Sequence, residues 1–268
     1  MFDEIASVVF AAGKGSRMTG YEGNKTLLPL VPHVPSLSIY EGEHALLIEV
    51  LTSLPAGPKG IVVNHRAEDV RTMTRGFNCT YVHQPVTNGT GGALLAARSF
   101  LESISTKSVL ITMGDVPLIR PDTYRNLVRQ LTSRELVVLG FTPQDHAQYG
   151  MIEMDGDRVA RIVEWKYWSG YPAARRAALR FCNAGVYAAN RTTLLQYMTR
   201  LAAAPHVVRK QRGDEWVEIE EYFLTDLVEF MGRDELGIGL VETSEEEVVG
   251  VDTPHSLRYV QEQYARRR

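Results

Sequence analysis

The chain has 268 residues, 44% of them hydrophobic and 23% charged, with a formal net charge of −3. That length carries one large α/β domain or two small ones and can bury a sizeable core. The composition is ordinary for a globular protein, and the small negative charge removes any general electrostatic case for nucleic acid or an anionic membrane as partner. The N-terminus, MFDEIASVVF, has acidic residues where a signal peptide has basic ones. No apolar run approaches the roughly 20 residues of a spanning helix, so a reducing cytoplasm is the expected compartment. Cys79 and Cys182 lie far apart without zinc-ligand spacing and read as buried thiols.

Predicted strands and helices alternate from the start. Residues 8–10 (VVF) read as a buried central strand running into glycines. A strand around Lys25 is followed by an irregular insert, 31–40, with two prolines, and then by a helix over 43–54. A strand at 60–64, a helix at 66–76, a short strand at 80–83 and a helix opening on glycines at 91–104 come next. Then follow a strand at 108–113, a helix at 121–133 with proline at its start, and a strand at 136–140. After Gly150 the pattern changes. Residues 151–154 and 159–163 flank an Asp-Gly turn and read as a β-hairpin. A helix at 173–179, a strand at 181–189 and a helix at 192–204 follow. Residues 204–216 are polar and basic and read as an exposed loop. A helix at 221–231, strands at 238–242 and 247–251, and a helix at 254–268 close the chain. The expected fold is α/β: a Rossmann-like, doubly wound mixed sheet, mostly parallel, with a hairpin-containing subregion.

Four stretches carry chemistry. In Ala11-Ala12-Gly13-Lys14-Gly15-Ser16-Arg17-Met18 the glycines allow a sharp turn and exposed N–H groups for an anion, with Lys14, Arg17 and Lys25 as nearby cations. It matches neither the P-loop spacing nor the dinucleotide fingerprint, and a tight turn without ligand remains an alternative. The run Gln84 to Ala93 supplies an amide able to read a base edge and a glycine turn at Gly89, although Thr90 could be a plain helix cap. Asp115 stands past the end of a strand, where open α/β sheets bind ligands, and is a natural Mg²⁺ ligand or else a turn residue. Asp252 repeats that placement, but Asp-Thr-Pro also makes a good helix start.

Those stretches together resemble the sugar-1-phosphate nucleotidyltransferase superfamily. The first stretch is similar to its (L/A)-A-x-G-x-G-(T/S)-R-M signature. Within the superfamily the chain resembles the uridylyltransferase domain of the bacterial bifunctional N-acetylglucosamine-1-phosphate uridyltransferases. The runs carrying this are 84–93, 114–119 (GDVPLI), 149–152 (YGMI), 162–166 (IVEWK), 183–186 (NAGV), 221–226 (EYFLTD) and 250–252 (GVD), in the family's order. The resemblance implies a single nucleotidyltransferase domain, with a nucleotide-binding part at 1–150 and a sugar-binding part with closing helices at 151–268. It implies that Ala11, Ala12, Gly13 and Gly15 wrap a triphosphate, that Arg17 and Lys25 are the catalytic cations, and that Gln84 reads uracil with Gly89 and Thr90. It implies Mg²⁺ on Asp115 and Asp252, sugar contacts from Gly150, Glu164 and Asn183, and a sugar-phosphate contact from Lys166. Without it, Glu164 could be a solvated strand residue and Asn183 a strand-end cap, and Trp165 and Trp168 read as packing residues.

The chain departs from that pattern at Met113, where the close family has Tyr, and at Asp252, where it has Asn. No hexapeptide repeat is present, so acetyl transfer is not expected. The expected reaction joins UTP and a sugar 1-phosphate, N-acetylglucosamine 1-phosphate first among them, giving a UDP-sugar and pyrophosphate. Two alternatives stay open: another NTP or phosphorylated alcohol on the same fold, and a non-catalytic sensor of sugar nucleotides. The presence of Arg17, Lys25, Asp115 and Asp252 counts against the sensor. Gln84 favours a pyrimidine, but an amide can face either way. Oligomeric state is left open.

Overall fold

A computed structural model describes residues 5–33, 38–145, 149–212 and 215–267. Strand β1 (Ile5–Ala11) leads through a polar loop and a 3₁₀ turn (Lys25–Leu27) into an antiparallel pair, β2 (Pro29–Pro32) and β3 (Gly42–Ala45). Then come α1 (Leu46–Ser53), β4 (Lys59–Val63), α2 (Ala67–Thr74), β5 (Thr80–His83), α3 (Gly89–Ala96), α4 (Arg98–Ser103), β6 (Ser108–Met113), α5 (Pro121–Gln130) and β7 (Leu136–Phe141). The hairpin β8 (Met151–Asp155) and β9 (Arg158–Val163) is followed by the short α6 (Trp165–Trp168) and α7 (Ala173–Ala177), β10 (Phe181–Asn190) and α8 (Arg191–Ala202). A two-stranded ribbon, β11 (His206–Arg212) and β12 (Glu215–Glu221), precedes α9 (Leu224–Arg233), β13 (Ile238–Thr243) and α10 (Pro254–Arg267).

The main sheet runs β13-β7-β10-β6-β1-β4-β5, with the β8–β9 hairpin attached to β10. All neighbours along that path are parallel except β10, which is antiparallel to β6 and β7. The reversal puts the start of β10 beside the ends of β6 and β7, so Asn183 reaches the edge where β1, β4, β5 and β6 open. Both faces are covered, which is why the strands read as near-continuous apolar runs. Along β1, Ala6, Val8 and Phe10 pack on one face, and Val9 and Ala11 on the other. A third, smaller core joins Met18, Leu28, Leu30, Leu46 and Leu118 to Val251, Leu257 and Val260. Among the described residues no helix is long and apolar enough to cross a membrane.

Several local expectations are corrected. The stretch read as an exposed loop, 204–216, contains all of β11 and the start of β12. Val207, Val208, Val217 and Ile219 supply β-branched positions, and cross-strand pairs such as Arg209 opposite Glu218 absorb the charge. The strand expected at 247–251 is absent. A 3₁₀ turn, Glu245–Glu247, takes its beginning, because buried Glu247 accepts from the Arg120 N–H at 3.1 Å and the Thr123 hydroxyl at 2.7 Å. The helix expected from 43 starts at Leu46, since the preceding residues pair with β2. In place of the strand around Lys25 there is the 3₁₀ turn. The helix over 91–104 is two helices meeting at Ala97. The insert is the outer part of the β2–β3 pair. Its residues 34–37 lie outside the described ones, while Tyr40 donates to the Thr19 carbonyl at 2.6 Å and so braces the glycine loop.

Candidate active site

The loop after β1 lies over the open end of the sheet. Gly15 has φ +64, and a Cβ there would stand 3.1 Å from the Lys25 side chain, so the loop rests directly on that lysine. Gly13 meets no such demand, and space is open beside it. Buried Met18 pins the loop into the third core, the same core that holds Val251 and Leu257 on either side of Asp252. The apolar residue after Arg17 thus anchors both cation and carboxylate. Lys14 is exposed and stands apart from this arrangement.

Lys25 is fixed from below by Asn24. The buried Asn24 amide donates to the carbonyls of Ala11 at 2.8 Å and His65 at 2.9 Å. Its oxygen accepts from the Thr26 N–H at 3.0 Å and the Thr26 hydroxyl at 2.8 Å. Asp115 follows β6, tied down by the Gly114 N–H on the Phe10 carbonyl at 2.9 Å. The Asp115 carbonyl in turn accepts from Val251 N–H at 2.9 Å, which sets Asp252 alongside. The Lys25 ammonium bridges the two carboxylates, on Asp115 Oδ2 and 2.5 Å from Asp252 Oδ1. Arg17 Nη2 is 2.8 Å from Asp252 Oδ2, with the rest of its side chain exposed. Burial pulls the Lys25 ammonium down, but Asp115 and Asp252 outweigh it and hold its pKa above the ordinary lysine value. Asp252 is not the cap of α10. Ser256 Oγ accepts from the Asp252 and Thr253 N–H groups at 3.0 Å, and Thr253 Oγ1 accepts from Ser256 N–H at 3.1 Å, which leaves the Asp252 carboxylate to the two cations.

A cavity of about 340 Å³ extends from Gly13, Lys25 and Asp115 to Gln84, Thr87 and Thr90. Gln84 is buried. Its NH₂ faces Asn88 Oδ1 at 3.1 Å and the Gly89 carbonyl at 3.4 Å, while its backbone carbonyl accepts from Asn64 at 2.6 Å. With the donors so committed, Oε1 is the end of the amide left to accept. Gly89 has φ +94, and a Cβ there would stand 2.3 Å from the Tyr222 carbonyl, so only glycine fits where the loop meets the end of the ribbon. Thr90 does not cap its own helix: its hydroxyl accepts from Leu224 N–H, at the start of α9, at 3.1 Å.

Gly150, Glu164 and Asn183 form one corner. The Gly150 carbonyl accepts from Asn183 N–H at 2.8 Å, and a Cβ on Gly150 would be 3.7 Å from each Glu164 carboxylate oxygen. A bulge in β10 between Asn183 and Tyr187 turns the amide onto the Tyr187 hydroxyl at 2.8 Å. Glu164 Oε1 accepts from buried Thr225 at 3.1 Å. Glu164 and Thr225 line a second cavity of about 570 Å³ with Lys166, His206, Phe223 and Asp226. Lys166 Nζ lies 4.8 Å from the Tyr167 ring centre, so it belongs to this second cavity, not to the one holding Lys25. Burial raises the Asp226 carboxyl against the opposing pull of His206, whose Nε2 is 2.9 Å away. Trp168 packs as expected, donating to the Tyr149 carbonyl at 2.8 Å, whereas Trp165 is exposed.

The two carboxylates converge on one cationic nitrogen, that of Lys25. Hard oxygens converging in this way fit a small divalent cation that takes its remaining ligands from phosphate and water. Among the described residues no group of three or more His, Cys, Asp or Glu gathers at a metal-binding spacing. Sequence reasoning missed the supports: Asn24, Ser256, Glu221 in the first cavity and Thr225 on Glu164. Ser256 left a signal as the third residue after Thr253 in a capping pattern, and Glu221 and Thr225 left one as members of the run 221–226.

A glycine loop, bridged carboxylates and a buried amide stand together at the open edge of a largely parallel sheet. Residues 7–200 match the MobA-like NTP transferase domain, and the chain belongs to that family. It is 33% identical over 254 residues to the "Bifunctional protein GlmU" of Ruegeria pomeroyi, covering 94% of this chain and 51% of that protein. With the protein of the same name from Sphingopyxis alaskensis it shares 30% over 267 residues, 98% of this chain and 53% of the other. The chain spans about half the length of the relatives it matches. Its fold is that of the Trypanosoma brucei uridine diphosphate N-acetylglucosamine pyrophosphorylase (TM-score 0.71, 14% identity, 96% of this chain and 65% of that one). The CMP:2-keto-3-deoxy-manno-octonic acid synthetase solved with CTP shares it too (TM-score 0.65, 14% identity, 99% and 100%).

Proposed function

We propose that the protein transfers a uridylyl group from UTP to a sugar 1-phosphate, with N-acetylglucosamine 1-phosphate as the first candidate, releasing pyrophosphate. The observation that carries the reading is the convergence of Lys25, Asp115 and Gln84 on one cavity, with Asp252 on Lys25 and Arg17 on Asp252. Gln84 offers an acceptor, which suits the N3–H of uracil and not the bare N3 of cytosine. The corner of Gly150, Glu164 and Asn183 offers acceptors and an amide to sugar hydroxyls. The amino sugar is taken from the name of a neighbour in fold, the Trypanosoma brucei uridine diphosphate N-acetylglucosamine pyrophosphorylase.

In this reading the sugar-phosphate oxygen forms a bond to the α-phosphorus as the bond to pyrophosphate breaks. The nucleophile is already an anion, so no side chain has to remove a proton. The loop from Ala11 to Arg17 wraps the triphosphate through its N–H groups, and Arg17 and Lys25 turn from the carboxylates to the phosphates, offsetting repulsion and charge in the transition state. Asp115 and Asp252 would hold Mg²⁺, which when bound supplies charge neutralisation at the phosphates. Pyrophosphate release, measured over a panel of four NTPs against glucosamine, N-acetylglucosamine and glucose 1-phosphates, tests the reading. Turnover with UTP and an amino-sugar phosphate is expected. Turnover only with CTP or GTP, or binding without turnover across the panel, would replace it with another transferase or with a sensor.

A further inference from the structure

We infer that Thr90, a residue of the base-side loop, is a positioning residue for the sugar side: its hydroxyl holds the first turn of α9, and that turn holds Glu164. The inference rests on the assignment of Glu164 to the sugar.

Phe223, the residue that precedes α9, makes no side-chain hydrogen bond to the helix start. The first-turn N–H of Leu224 is satisfied from outside, by Thr90 Oγ1 at 3.1 Å. Two backbone bonds clamp the same junction: Gly91 N–H on the Tyr222 carbonyl at 2.8 Å and Tyr222 N–H on the Asn88 carbonyl at 2.9 Å. One residue into the helix, Thr225 donates to Glu164 Oε1 at 3.1 Å. Residues 221–225 therefore run between the two cavities, with Glu221 lining the first and Phe223 and Thr225 the second. Thr90 contributes a hydroxyl whose observed partner is the helix, and Glu164 is the acidic residue that helix steadies. Loss of the hydroxyl should therefore be felt at the sugar although the residue sits in the nucleotide loop.

The test compares Thr90→Val with Thr90→Ser, which keeps the hydroxyl. UTP affinity is measured by calorimetry, kcat/KM for the sugar phosphate at saturating UTP by pyrophosphate release, and exchange of the amides of residues 224–226 by hydrogen–deuterium exchange. A lost cap of ordinary strength predicts a roughly fivefold fall in kcat/KM for the sugar phosphate in Thr90→Val. UTP affinity should fall less than sugar-phosphate kcat/KM, exchange should be about fivefold faster at 224–226, and Thr90→Ser should restore all three. If UTP affinity fell as far as sugar-phosphate kcat/KM, Thr90 would be a nucleotide contact and the inference would be overturned. Unchanged exchange at 224–226 would overturn it as well. Should the wild-type protein turn over no sugar phosphate, the transferase reading fails, and the exchange measurement alone then decides whether Thr90 holds α9.

Discussion

Replacing Lys25 by Met removes the ammonium and keeps the side-chain length. The two carboxylate oxygens that now share Lys25 Nζ are about 5 Å apart or less. At an effective dielectric constant of 20 their repulsion is on the order of 3 kcal/mol. Removing one member of a buried charge network costs about 3–5 kcal/mol. Lys25 and Asp115 are 16% and 14% exposed, but Asp252 is 36% exposed and keeps Arg17, so a loss of about 2–3 kcal/mol is expected. For a chain of this size that is roughly 4–10 °C in Tm. Thermal denaturation followed by circular dichroism, in metal-free buffer and with millimolar Mn²⁺, reads it. Mn²⁺ should recover most of the loss in Lys25→Met and change the wild type little, because the wild-type ammonium already occupies the place between the carboxylates. The folded pKa of Lys25 is raised, so its contribution is full below about 10.5 and is lost only as pH rises through the higher folded value. The gap between wild type and variant should therefore hold steady from pH 7 to 9. Equal melting in metal-free buffer would show that Lys25 does not hold the carboxylates, and a variant blind to Mn²⁺ would show that they do not form a cation site.

Asn24→Ala deletes four hydrogen bonds and strands two carbonyls beneath Lys25; a stability loss of about 2–4 kcal/mol in urea titration is expected, together with a lower kcat. Gln84→Leu removes the base-side acceptor, and UTP affinity by calorimetry should fall about tenfold; unaltered affinity would take Gln84 out of base recognition. Glu153 loses to burial but gains more from Arg161 at 2.7 Å and Arg175 at 2.9 Å, so its folded pKa lies below its ordinary 4.5. Its stabilisation is present above about pH 4.5 and lost as pH falls through the folded value. Glu153→Gln should therefore be less stable than wild type at pH 7, with the difference closing on acidification.

The order of the elements was legible because the sheet is buried on both faces. Runs such as 108–113 and 136–140 are mainly apolar and bounded by polar turns, and burial left them no other reading. Boundaries were less legible wherever a distant partner sets them. The start of α1 depends on β2, and the loss of a strand at 247–251 depends on Arg120 and Thr123. The ribbon was hidden because its charges are as prominent as its β-branched residues, and only cross-strand pairing makes the latter count. In the site, the sequence marked residues with unusual chemistry at strand ends, such as Asp115 and Gln84. It could not mark Asn24, whose importance lies wholly in what it touches, and Thr225 stood out only as a member of the run 221–226. Thr90 and Asp252 had two readings each, and their hydrogen bonds remove the helix-cap reading of both.

The ribbon has one end of each strand at the site. His206 stands on Asp226 and faces the Phe223 ring, while its cross-strand partner Glu221 lines the nucleotide-side cavity. The further pairs follow in register out to Arg212 opposite Glu215, and among the described residues none of them lines either cavity. Strand pairs can therefore be added or removed in twos beyond that point with the His206–Glu221 pair left in register and each side chain kept on its own face. This makes the ribbon a natural place to graft a peptide tag, a fluorophore or a recognition sequence, on an arm whose root reports directly on what the two cavities hold.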